Sequence, residues 1–200
     1  MYSSSKKGFR LSFNAPVTLT FVALCVIARL VSILTGGQSD RLIFSVHRGS
    51  FLDPLTYVRL VGHVLGHAGW DHLLSNMMYI LLLGPMIEEK YGARSTVLVI
   101  LATAVVTGLI HMLVSPGTML LGASGVVFAF ILISSITVRE DRTIPVTFIL
   151  VAVLYLGQQV WQGITSKDDV SQLTHIAGGA VGSVFGFLLQ TVKKKDTSRY

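Results

Sequence analysis

The chain has 200 residues, 52% of them hydrophobic and only 13% charged, with a net charge of +6. Ordinary soluble domains carry about 25% charged residues; here the charges are bunched between long uncharged runs, which excludes a soluble globular class and fits a polytopic membrane protein. The basic residues lie between apolar runs, so they read as topology signals rather than a nucleic-acid surface, and the single cysteine, Cys25, excludes an internal disulfide.

Lys6, Lys7 and Arg10 precede an apolar stretch from Val17 to Leu34. That stretch exceeds the roughly 7–15 residues of a signal-peptide core, so a retained first span is expected over about 16–35. Pro16 opens it, where a missing N–H costs little. Arg29 inside it is expensive in lipid; it either snorkels outward or faces a partner. The connection from about 36 to 71 holds Phe44, Phe51, Leu52, Leu55, Tyr57, Leu60, Val61 and Trp70 among scattered charges. It is too apolar for a solvated loop and is expected to lie in the outer membrane interface. Span two follows over about 72–87, with Asp71 as its expected N-cap and Pro85 expected to kink its last turn. Spans three to six are expected over about 95–114, 122–138, 144–162 and 172–192. All are helices, because backbone polar groups in lipid must be satisfied within the segment.

The fold class is therefore all-α, a polytopic bundle of six transmembrane helices. A cytoplasmic segment 1–15 precedes the membrane domain 16–192, and a basic cytoplasmic tail 193–200 follows it. With six spans, the residues before span one, Lys90 and Arg94, Arg139 and Arg142, and Lys193 to Lys195 with Arg199 all fall on one side. The positive-inside rule then places both termini in the cytoplasm.

Polar residues inside the spans point to a site. With a rise of 1.5 Å per residue, Ser124 lies roughly 8 Å below the outer boundary and His175 roughly 3 Å below it. His72 and Asn76 lie roughly 6 and 12 Å below it, on one face of span two. Gly178, Gly182 and Gly186 share a face with His175. Gly122, Gly125 and Ala129 are the small residues of span four, and small residues let helix backbones approach closely. A serine brought to a histidine this way suits nucleophilic acyl transfer, with His175 as base. His72, Asn76 and the Ser124 backbone N–H are candidate donors to a developing oxyanion. No acid in a span is placed to orient His175: Asp71 caps span two, and Asp168 and Asp169 are expected in a loop. A dyad is thus expected. Val126 follows Gly125, so the nucleophile-elbow pattern of soluble hydrolases is absent.

These residues resemble the rhomboid family of intramembrane serine proteases, over about residues 57–190. The match lies in G-x-S-G at Gly122-Ala123-Ser124-Gly125, H-x-x-G-x-x-x-G at His175, Gly178 and Gly182, and H-x-x-x-N at His72 and Asn76. The resemblance implies that Ser124 is the nucleophile, His175 the general base, and His72 and Asn76 parts of an oxyanion hole. It implies cleavage of transmembrane segments of other proteins near their outer end, with no cofactor or metal, by a protein embedded in the lipid bilayer. The compact form points to a bacterial inner membrane. Two positions depart from the usual pattern. Val58-Arg59 stands where many members carry Trp-Arg, and Phe128 stands where many carry tyrosine, which keeps a stacking ring but loses a hydroxyl.

Two other classes compete. A non-catalytic protein of the same fold would bind transmembrane helices without cutting them. A metal or haem protein would use His63, His67, His72 and His111, with His63 and His67 on one face if that segment is helical. Against the latter, H-E-x-x-H is absent and no carboxylate completes a site in a span.

Overall fold

Helix α1, Pro16–Leu34, lacks a capping side chain of its own: Ala15 is the N-cap and makes no side-chain bond. The cap comes from another helix. Glu88, which is buried, accepts from Val17 N and Thr18 N at 2.9 Å each and from Thr18 Oγ1 at 2.9 Å. Its carboxylate thereby satisfies orphan N–H groups at the positive end of the helix dipole. Glu88 belongs to α3, Trp70–Tyr91. Close approach of the two helices is permitted by Gly84, where a Cβ would stand 2.6 Å from Thr18 Cγ2. Helix α3 runs past Pro85 to Tyr91.

A computed structural model describes residues 13–115, 117–137, 146, 149–154, 157 and 169–197. Beyond α1 and α3, the described helices are α2 (Pro54–Gly62), α4 (Ala93–Val114), α5 (Ser124–Thr137) and α6 (Asp169–Thr197). A short π-helical turn spans Asp40–Phe44. The described residues are all-α apart from one antiparallel bridge between Val46 and Leu120. Helices α1 and α4 have the length and apolarity of membrane spans. Most of the expected fifth span lies outside the described residues; 149–154 are helical.

Several boundaries differ from the sequence reading. Span four begins at Ser124 rather than 122, because Gly122 has φ +136°, outside any helical region. Asp71 is not the N-cap of α3: Gly69 is, and Asp71 sits in the first turn, where its charge still complements the dipole. Asp169 opens α6 instead of lying in a loop, and α6 continues through Lys193 to Lys195.

The connection before α3 is ordered by few but specific contacts. Asp53 caps α2 by accepting from Leu55 N at 3.0 Å. Arg59 is buried; its Nη1 meets Asp53 Oδ2 at 3.2 Å and its Nε donates to Leu42 O at 3.1 Å. Gly62 and Gly66 lie against the carbonyl oxygens of Ile43 and Phe44, where a Cβ would overlap them. The opposite face presents Phe51, Leu52, Leu55, Tyr57, Val58 and Val61 outward, with Leu52 94% exposed. Such a patch is suited to lipid rather than water.

Candidate active site

Ser124 is the first residue of α5, and the segment before it is fixed from three directions. Val46 and Leu120 exchange two backbone bonds of 2.9 Å. His111, on α4, donates from Nε2 to Thr118 O at 3.1 Å. Gly122 N donates to His63 O at 2.9 Å. Gly122 must be glycine for two reasons. Its φ of +136° disfavours any L side chain, and a Cβ there would lie 2.7 Å from His72 Cε1 and 2.9 Å from His72 Nε2. Gly122 therefore faces His72 of α3, and not the sixth span as the small-residue pattern suggested.

The crossing of α5 and α6 brings the base to the serine. At Gly178 a Cβ would overlap Gly125 O, and at Gly182 it would lie 2.5 Å from Ala129 Cα. At Gly186 it would lie 2.9 Å from Ile136 Cδ1. Gly125 also faces α4, where a Cβ would stand 3.2 Å from Thr107 Cγ2. Backbones this close leave no room for larger residues. One turn before Gly178, His175 Nε2 lies 2.9 Å from Ser124 Oγ. With Nε2 unprotonated, the serine hydroxyl donates to it. The Phe128 ring, one turn after Ser124, has its centroid 4.7 Å from that of His175 and is tilted by 52°. Both Ser124 and His175 are half-buried.

His72 and Asn76 lie on consecutive turns of α3. The His72 ring abuts Gly122, as above, and meets the His67 ring edge-on, with centroids 5.1 Å apart at 64°. Asn76 is 6% exposed, and its Nδ2 has no hydrogen-bond partner among the described residues. A buried amide donor without a partner is uncommon and calls for an acceptor.

The other histidines are engaged differently from a ligand set. Helix α2 ends at Gly62, so His63 and His67 do not share a helical face. His63 donates from Nε2 to Ala104 O at 3.0 Å, and His67 from Nδ1 to Leu65 O at 3.1 Å. Burial pushes the pKa of each down to about 4, only partly opposed by those carbonyl bonds, so both are neutral at pH 7. Among the described residues, no three His, Cys, Asp or Glu side chains gather as a metal site would require.

Two contacts were not read from the sequence: the His63 carbonyl that holds Gly122, and the Glu88 carboxylate that ties α1 to α3. The first left no signal, because a backbone acceptor has no sequence signature. The second left a faint one, an α1 start at Ala15-Pro16 with no capping residue of its own.

The family model described as Rhomboid domain matches residues 54–191. The Rhomboid protease GlpG of Haemophilus influenzae is 25% identical over 192 residues, covering 93% of this chain and 97% of that protein. The chloroplastic Rhomboid-like protein 11 of Arabidopsis thaliana is 28% identical over 137 residues, covering 62% of this chain and 49% of that protein. Rhomboid-related protein 1 of Caenorhabditis elegans is 29% identical over 140 residues, 66% of this chain and 39% of that protein. The chain thus spans nearly all of the first but half or less of the other two.

Proposed function

Because the chain belongs to the rhomboid family, whose members are integral membrane proteins, we propose that it is an intramembrane serine endopeptidase acting through a Ser124–His175 dyad. The observation that carries this reading is the 2.9 Å contact between His175 Nε2 and Ser124 Oγ. The protein has six transmembrane helices in a membrane domain of about 16–192, with both termini cytoplasmic. Its membrane is the bacterial inner membrane, and its substrates are transmembrane segments of other proteins, cut near their outer end.

The chemistry follows from the donors and acceptors in place. His175 accepts the Ser124 proton as Oγ attacks the scissile carbonyl. Negative charge then develops on the carbonyl oxygen. The Ser124 N–H, at the first position of α5, has no intrahelical acceptor. That N–H, the Asn76 amide and the His72 ring stabilise the oxyanion. His175 returns the proton to the leaving amine, and water entering from the outer side hydrolyses the acyl-enzyme. Gly122, Gly125, Gly178 and Gly182 support this set by close packing, and Phe128 buttresses the His175 ring.

Labelling with a fluorophosphonate tests the reading, since such a probe reacts with an activated hydroxyl and leaves a packing serine inert. Mass spectrometry should find Ser124 modified. The label should vanish in His175→Ala, and cleavage of a model transmembrane substrate should be lost in both Ser124→Ala and His175→Ala while the protein remains folded. An unlabelled Ser124 in folded wild-type protein would favour the helix-binding, non-catalytic alternative.

A further inference from the structure

Arg29 lies in the outward half of α1, outside the residues matched by the family model. A charge within a span is costly to insert, and such residues by default mark function. Its contacts in the fold are specific but few. Nη1 donates to His67 O at 3.4 Å, and Nε is buried without a partner among the described residues. One long bond to a carbonyl is a poor return for a cation at this depth if stability is its only purpose.

What that carbonyl belongs to gives the bond its meaning. Cys25, one turn earlier on the same face of α1, lies 3.8 Å from Val64 O. Two successive turns of α1 therefore hold the 63–67 turn at both its ends. His67 is fully buried, its Nδ1–H is fixed on Leu65 O, and its ring meets the His72 ring edge-on at 5.1 Å. His72 in turn rests against Gly122, two residues before Ser124. The structure assigns Arg29 as a positioning residue: by gripping the His67 carbonyl from α1, it fixes the turn whose His67 ring buttresses His72 beside the nucleophile. This rests on the proposed role of His72 as an oxyanion donor.

The test uses purified full-length protein in detergent. The rate of Ser124 labelling by a fluorophosphonate is followed together with kcat and KM on a model transmembrane substrate and with thermal melting. Removing the cation in Arg29→Met loosens His72 without deleting it. Labelling should slow about tenfold, less than the 10²–10³ expected for outright loss of a donor. The loss should fall in kcat with KM unchanged, while the melting temperature holds or rises because a charge has left the span. Arg29→Lys, which can still donate to the carbonyl, should return the rate to within about threefold of wild type. If Arg29→Met does not fold, Arg29→Gln replaces it; this neutral, shorter side chain should show the same slowing. Wild-type labelling rates in the Met or Gln variant would overturn the assignment, as would Arg29→Lys being as slow as Arg29→Met. A wild-type protein that takes no label at all would instead overturn the dyad itself, and this inference with it.

Discussion

At the scale of single residues, the site is asymmetric in what each position can lose. Ser124 and His175 share one bond and one proton, so neither has a substitute. The proposed oxyanion donors are several, and removal of one such donor typically costs about 10²–10³ in rate. Asn76→Ala is therefore expected to lower kcat by that order while leaving KM near wild type, because its amide donor has no ground-state partner among the described residues. A rise in KM alone would make Asn76 a packing residue. The residues most legible in the sequence were those whose chemistry and spacing coincide. Ser124 between glycines, His175 ahead of a glycine stripe, and the i,i+4 pair His72 and Asn76 could all be singled out from pattern and depth. Gly122 was singled out by G-x-S-G and by its small size, which serves a close approach to His72 rather than to the sixth span. Its small size was visible, but its positive φ and its contact with His72 depend on how a loop enters the bundle, and no local pattern encodes that.

At the scale of elements, two features can be tested separately. The first is the α5–α6 crossing. A Cβ at Gly182 would stand 2.5 Å from the Ala129 backbone, so it would meet backbone and not a side chain that can swing away. Overpacking of this kind costs typically about 1–3 kcal/mol. Gly182→Val, and to a lesser degree Gly182→Ala, should lower melting temperature and activity together, since separating the helices also separates His175 from Ser124. A stable and fully active Gly182→Val would show that α6 does not pack there. The second feature is the 63–67 turn. His63 and His67 have folded pKa values near 4 against an ordinary 6.5. The fold thus favours their neutral forms. Their contribution is complete above pH 6.5, falls as pH drops through the window from 6.5 to 4, and declines no further below it. The melting temperature in detergent should fall over that window, and the fall should be shallower in His67→Asn, which removes one of the two titrating groups. Equal slopes in the two proteins would refute the burial argument. The helices around these features were legible because apolar runs of span length leave the backbone no alternative. Of the connection at about 36–71 the sequence disclosed only its apolar character, from which an interfacial position is expected, since its order comes from Arg59 on Leu42 O, glycines against carbonyls and the Val46–Leu120 bridge, all of them long-range contacts without periodicity.

At the scale of the whole molecule, the question is which way the bundle faces. Helix α1 has 19 residues and α3 and α4 have 22 each. At 1.5 Å per residue these are roughly 28 and 33 Å long, and both counts fall within the range of about 17–25 residues that spans a ~30 Å hydrocarbon core. The Glu88 carboxylate on the N-terminus of α1 places the end of α3 level with the start of α1, so the two helices run antiparallel. In the proposed six-span topology the residues just after α1 and those joining α3 to α4 then lie on opposite sides. Under the positive-inside rule, Lys90 and Arg94 are expected to put the second of these in the cytoplasm. Gln38 and Ala93 are exposed at the two levels, and Cys25 is buried and can serve as a silent background. In intact bacterial cells expressing the protein, a membrane-impermeant maleimide should therefore label Gln38→Cys. Ala93→Cys should be labelled only after permeabilisation, and the parent chain in neither case. The reverse pattern would invert the molecule and place Ser124, whose helix begins on the side of Gln38, within reach of the cytoplasm. Labelling of both positions from outside would mean that α3 does not cross the membrane. The six-span topology would then fail, together with the depth argument that puts His72, Asn76, Ser124 and His175 in one outer layer.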